Sequence, residues 1–430
     1  MKYSLQIICT IAISALSLSL PAQIVGKAER GTFALTNATI ETVTNGTVQG
    51  TVIIQNGKIT ALGSNVTIPA GAKTIDCTGK FIYPGLIDGG TRVGLSEVGS
   101  VSLTQDFAEI GELTPQMQAL TAVNPNATAI PVTRVEGVTT ALTMPAGGLF
   151  PGTAALINLV GYTPDQMYAG FRGVVLNFPS VRRRRFGDNR TEEELKKEEE
   201  KQLKQLNEIW EQAQLYVNIT KSGTQPDYNP EMEALAPVVR GEMALLVEAN
   251  RYNEIESAIK WIQEKKVPKA VLTGVAEGWR VADKIAKANI PVITGPVIAV
   301  PTRSSDRYDK AYANPGLMQK AGVKVALRTS SAENVRNLPF NAGFAVAYGM
   351  DKAAALRAVT IMPAEIFGVA DRLGSIEVGK DATLFVCTGD PFETSTQVSH
   401  LIIDGWEVPL ESRHIQLYQE FLDRQPGLKK

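Results

Sequence analysis

From Thr32 to about Lys80, apolar and polar positions alternate in short runs such as Phe33–Asn37, Gly50–Gln55 and Lys58–Gly63. A period of two marks strands with one buried face. Asn45-Gly46 and Asn56-Gly57 punctuate the runs, and such pairs favour tight hairpins because both central residues of the turn need positive φ. The texture returns in Ala382–Cys387 and from His400 to Val408. One small β-domain is therefore expected from both ends of the chain, residues 23–80 and 371–430.

The middle of the chain has another rhythm. Eight apolar runs without polar alternation begin at Pro84, Gly137, Ala154, Gly173, Met243, Lys269, Pro291 and Val323. Several are followed by helix-like stretches, such as Glu254–Glu264 and Gly278–Ala288. Runs apolar at every position suit strands buried on both faces, with helices as cover. The fold class expected is α/β: a (β/α)8 TIM-type barrel over residues 81–370 with a small composite β-sandwich built from both termini. A doubly wound open sheet is the alternative.

One insertion, about residues 181–217, interrupts the barrel. Thr191-Glu-Glu-Glu194 has the form of a capping box, and Leu203, Leu206, Ile209 and Trp210 make a narrow apolar stripe on the charged helix that follows. A solvated helix packed by one edge explains this pattern. The sharper alternative is an anion or partner site at Arg182–Arg185.

The first residues read as a targeting segment. Lys2 precedes an apolar run with interleaved small residues from Leu5 to Leu20, and Ala22 offers a cleavage point. A signal peptide over residues 1–22 and an exported, periplasmic or extracellular protein are expected; an uncleaved anchor is the alternative. Cys77 and Cys387 would then remain, as a disulfide or as two buried thiols.

Charge and composition narrow the function. With 43 basic and 44 acidic residues, the chain lacks the excess of positive charge that general nucleic-acid binding needs. Membrane binding after removal of the leader is not expected. The chain has only two histidines, His400 and His414, both beyond the barrel region, so a His-based metal site has little material. Ser330 and Ser331 lack a barrel histidine as base, and no Gly-x-Ser-x-Gly elbow occurs.

Gly79–Asp88, which contains Pro-Gly-Leu-Ile-Asp, resembles the entry to the first barrel strand of the amidohydrolase superfamily, in particular its imidazolonepropionase-like branch. Gly374–Val386 resembles that family's return into the β-domain, and Arg134–Thr140, Gly322–Leu327 and Ala355–Glu365 stand between them in the expected order. The resemblance implies a metallo-hydrolase fold. It also implies one or two divalent metals held by a His-x-His pair, a Lys or Glu on strand four, histidines on strands five and six, and an Asp after strand eight.

The matching positions here read Gly90-Thr91-Arg92, Asn177, Glu248, Gly274 and Arg328-Thr329-Ser330. Neither glycine nor arginine can hold the open metal site that ionises a water. The expectation is a metal-free relative without a cofactor or catalytic residues. Its candidate ligand site at the barrel mouth comprises Arg92, Glu248, Arg328 and Ser330, where Glu248 pairs with Arg92, Arg328 or both. Arginines turned to solvent are the alternative. The partner expected is a small anionic ligand or a related amidohydrolase, with oligomeric state open. The competing functional reading is a hydrolase of C–N bonds in cyclic or linear amides.

Overall fold

The computed structural model describes residues 27–180 and 190–424. The leader and Arg182–Arg185 lie outside the described residues. In chain order the strands are β1 (Glu29–Arg30), β2 (Phe33–Glu41), β3 (Thr47–Gln55), β4 (Lys58–Gly63), β5 (Lys73–Asp76), β6 (Phe81–Pro84), β7 (Leu86–Thr91), β8 (Val138–Thr143), β9 (Gly152–Asn158), β10 (Tyr168–Asn177), β11 (Ala244–Ala249), β12 (Ala270–Gly274), β13 (Val292–Thr294), β14 (Val325–Leu327), β15 (Leu384–Cys387), β16 (Val398–Ile403) and β17 (Trp406–Glu407). Three helices bear on the site and its supports: α1 (Glu192–Lys221), α2 (Tyr252–Glu264) and α3 (Ile361–Ile366).

Strands β1–β6 and β15–β17 form one nine-stranded sheet in which β6 pairs with β15, so both ends of the chain build it, as the alternation implies. Along β15, Leu384 and Val386 enter the core of this domain with Leu35, Val52 and Ile82, while Phe385 and Cys387 join the core that surrounds the barrel. One sheet thereby supplies walls to two cores, each by alternate residues. Cys77 lies in the first core and Cys387 in the second, and both are free thiols. The disulfide reading is corrected: the two side chains serve opposite faces of the sheet.

All eight apolar runs become barrel strands, β7 to β14 in sequential order. The closure between β14 and β7 lies past the end of β14, where Ser330 N–H donates to the Gly90 carbonyl at 3.0 Å and Arg92 N–H to that of Ser331 at 3.1 Å. One strand departs from the (β/α)8 scheme. β9 is antiparallel to both β8 and β10. Only residues 144–151 separate β8 from β9, and a parallel return needs a crossover of a dozen or more residues. Hydropathy gives no warning of the reversal, because β9 puts Ala154 and Leu156 inside the barrel and Ala155 and Ile157 outside it.

Alternation also sets the barrel interior. Ala244 and Leu246 of β11, Val271 of β12, Ile293 of β13 and Ala326 of β14 point inward, whereas Leu245, Val247, Leu272, Val292 and Val325 meet the outer layer. The N-terminal end is plugged by α3 and by Phe367, whose ring lies 4.7 Å from that of Phe171.

The inserted helix α1 starts at the capping box of Thr191 and Glu194 and buries Leu206, Ile209 and Trp210, with Leu203 half-buried at its edge. Trp210 meets Trp261 of α2 edge-on at 5.4 Å, and the Trp261 indole N–H donates to Asn207 at 3.1 Å. Among the described residues no helix is long and apolar enough to cross a membrane.

Candidate functional site

The inward register continues one step past the apolar layers. Glu248 follows Leu246, Thr273 follows Val271 and Arg328 follows Ala326, each two residues on, so a carboxylate, a hydroxyl and a guanidinium form the top layer inside the barrel. Arg328 donates from Nη1 to Glu248 Oε2 at 2.8 Å and from Nη2 to Oε1 at 2.7 Å. This fork is the strongest geometry a guanidinium offers a carboxylate. Thr273 Oγ1 donates to Oε2 at 2.7 Å and Asn250 Nδ2 to Oε1 at 3.0 Å. Burial alone would raise the Glu248 carboxyl, but the charge of Arg328 and these four donors outweigh it and hold the group at about 2.

Two glycines make room for the pair. A Cβ at Gly274 would stand 2.5 Å from Glu248 Oε1, and one at Gly90 would stand 3.0 Å from Arg328 Cδ and 2.8 Å from Met144 Sδ. Gly274 also has φ of +82°, a conformation that side-chain-bearing residues rarely adopt.

Asp88 lies beneath, fully buried. It accepts from Gly90 N–H at 2.9 Å, from Thr329 N–H at 3.2 Å and from Thr329 Oγ1 at 2.5 Å, tying the first barrel strand to the chain after the eighth. Burial pushes its carboxyl up to about 6 against the pull of those donors and of Arg328.

Arg92 does not join the pair. Its guanidinium lies over the Phe107 ring at 4.3 Å and forms no ion pair among the described residues. Burial and the neighbouring charge of Arg328 lower its pKa, with Glu248 acting the other way. Of the two pairings expected for Glu248, the structure makes that with Arg328 and not that with Arg92. Ser330 is exposed at the barrel rim, its hydroxyl 3.5 Å from the Gly295 carbonyl. Ser331 is a turn former instead, its hydroxyl accepting from Asn334 N–H at 2.9 Å.

Asn177 ends β10 and donates to the Gly147 and Gly148 carbonyls at 2.9 and 2.8 Å, so it holds the glycine-rich loop after β8 against the mouth. Next to the Glu248–Arg328 pair, a cavity of about 140 Å³ opens among Asn250, Thr294, Gly295, Trp279 and Lys310. Sequence reasoning overlooked Asn250 and Thr273 as partners in this layer and Asp88 as the support beneath it. The inward register of β12 would have found Thr273. His400 lies on β16 with Nδ1 3.2 Å from Glu407, and His414 lies on the terminal helix Arg413–Asp423, so neither belongs to the barrel.

The donor set does not fit a divalent metal. Among the described residues no three His, Cys, Asp or Glu side chains gather in a group that could hold one. Glu248 gives both oxygens to Arg328, and a ligand side chain at Gly90 or Gly274 would collide with the pair.

The amidohydrolase family model matches residues 81–408, from the last strand before the barrel to the end of the returning β-domain. The chain belongs to the amidohydrolase family. An amidohydrolase of Thermotoga maritima MSB8 is 26% identical, with a TM-score of 0.76 over 88% of this chain and 99% of that one. Molinate hydrolase, 18% identical with a TM-score of 0.56 over 89% of this chain and 95% of its own, shares the fold. Amidohydrolase tasK of Hapsidospora irregularis is 22% identical over 393 residues, 83% of this chain and 39% of that protein. This amidohydrolase-family chain thus spans well under half the length of that relative.

Proposed function

We propose that this chain is an exported member of the amidohydrolase family that has exchanged its metal centre for an arginine–glutamate pair and binds a small anionic ligand at the barrel mouth. The observation that carries the reading is the forked Arg328–Glu248 bond at 2.7 and 2.8 Å over Gly90 and Gly274. The family resemblance implies metal ligands at three of these places, Gly90, Glu248 and Gly274; here an internal cation satisfies the carboxylate that would otherwise lie uncompensated in a recess. Arg92, held over Phe107 without a carboxylate partner among the described residues, is the free anion receptor, with the exposed Ser330 on the same rim.

The test combines elemental analysis of protein purified without chelator with calorimetric titration of small carboxylates and phosphate. Far less than one divalent ion per chain is expected, together with anion binding that Arg92→Ala abolishes. About one tightly held ion per chain, or turnover in a screen of cyclic and linear amides, overturns the reading and favours a C–N hydrolase. N-terminal sequencing of secreted material tests the cut near Ala22.

A further inference from the structure

At the opposite, N-terminal end of the barrel a groove of about 950 Å³ runs beneath the starts of β10 to β14. In this fold that face ordinarily contributes stability while ligands bind at the other. Its volume is that of a small-molecule site.

The floor is apolar: Phe171, Ile262, Val267, Ile290 and Phe367 are buried along it. The rim is cationic. Arg172, Lys266, Lys269 and Lys324 line the groove, and none of the four forms an ion pair among the described residues. The two acids on the wall are already compensated. Glu242 is held by Arg240 at 2.8 and 2.9 Å, and Glu365 by Arg357 at 3.2 Å. The net field in the groove is therefore positive, and low-dielectric walls strengthen it. Lys269 and Lys324 precede β12 and β14, with one strand between them, which sets their backbones roughly 10 Å apart at ordinary strand spacing. Arg172 adds charge at the β10 end of the groove, its guanidinium positioned by the Tyr168 ring and by Gln118.

We infer that this groove is a second binding site, for an anionic amphiphile: a carboxylate head received by Lys269 and Lys324, and an aliphatic tail on the Phe171–Phe367 floor. The site is distinct from the barrel mouth and does not depend on the reading given for it.

Decanoate, at concentrations below micelle formation, is the probe, titrated by calorimetry against the full chain. Saturable binding is expected, at least tenfold tighter than for decanol or acetate, and weakened by salt as an exposed ionic contact must be. K269E/K324E should lose at least tenfold in affinity, and K269Q/K324Q should lose part of it, while both keep the wild-type melting curve. Arg92→Ala should leave decanoate binding unchanged. Equal affinity for decanol, full binding by K269E/K324E, or loss on Arg92→Ala would each sink the inference. So would co-sedimentation with phosphatidylglycerol vesicles that needs the same lysines when free decanoate does not bind, because the shared anionic chemistry would then come from a lipid headgroup.

Discussion

Arg328 holds Glu248 in a two-point fork, at 2.8 and 2.7 Å, across the barrel mouth from the eighth strand to the fifth. Only 9% of the arginine side chain and 24% of the glutamate side chain are exposed, so each charge depends on the other for compensation. Removing one partner of such a pair strands the other, which costs about 3 kcal/mol. Glu248→Ala and Arg328→Ala are each expected to lose that much in urea denaturation. The double mutant should lose clearly less than the sum. Glu248→Ala combined with Arg92→Ala should show much weaker coupling, because Arg92 forms no ion pair with Glu248 and feels only its longer-range charge. Additivity in the first cycle would show that the fork is not coupled in solution.

Gly274 and Gly90 should resist any side chain. Gly274→Ala must strain a backbone at φ +82° and force a Cβ to 2.5 Å from the Glu248 carboxylate. A loss of about 2 kcal/mol or more is expected from the conformation and the disturbed pair together. At Gly90 the nearest atoms belong to the flexible side chains of Met144 and Arg328, so Gly90→Ala should cost less. Thermal melts of the two variants rank them; a neutral Gly274→Ala contradicts the packing described.

Acid stability should rise and then fall with pH. Glu248 is held at about 2, below the ordinary value of 4.5. A lowered carboxyl adds stability above its unfolded pKa and loses it as pH falls from about 4.5 toward 2. Asp88, raised from 3.8 to about 6, has the opposite sign. Its protonated form is favoured by folding, so its contribution is complete below about pH 4 and disappears as pH rises through 6. Asp88→Asn should remove the decline between pH 4 and 6 from a plot of unfolding free energy against pH. An unchanged slope in that window refutes the raised value.

Burial lifts the Cys77 thiol to about 11 and the Cys387 thiol to about 12. Neither is a thiolate near neutral pH, which is the form that reacts. A chain beginning after Ala22 should show almost no thiol reaction while folded and two equivalents once denatured without reductant. Zero equivalents on denaturation would reveal the disulfide that the separate cores argue against.

The alternation of Phe33–Gly63 and the eight apolar runs determined, without any coordinates, that the termini share a β-domain beside a barrel of eight strands, though not that this domain is one nine-stranded sheet. Period and run length record which faces are buried, and burial is a local property of each strand. The candidate positions Arg92, Glu248, Arg328 and Ser330 were legible because the family resemblance aligns them with the barrel mouth. What pairs with what was not legible. Glu248 stands 80 positions from Arg328, and only closure of the barrel decides that this arginine, rather than Arg92, reaches it, while Phe107 takes Arg92. The reversal of β9 and the opposite faces of Cys77 and Cys387 belong to the same class. An antiparallel strand buried on both sides has the hydropathy of a parallel one, and a cysteine in a doubly buried sheet is apolar toward either core. Strand direction and choice of face are set by connections and contacts between distant segments, which the local pattern of the chain does not record.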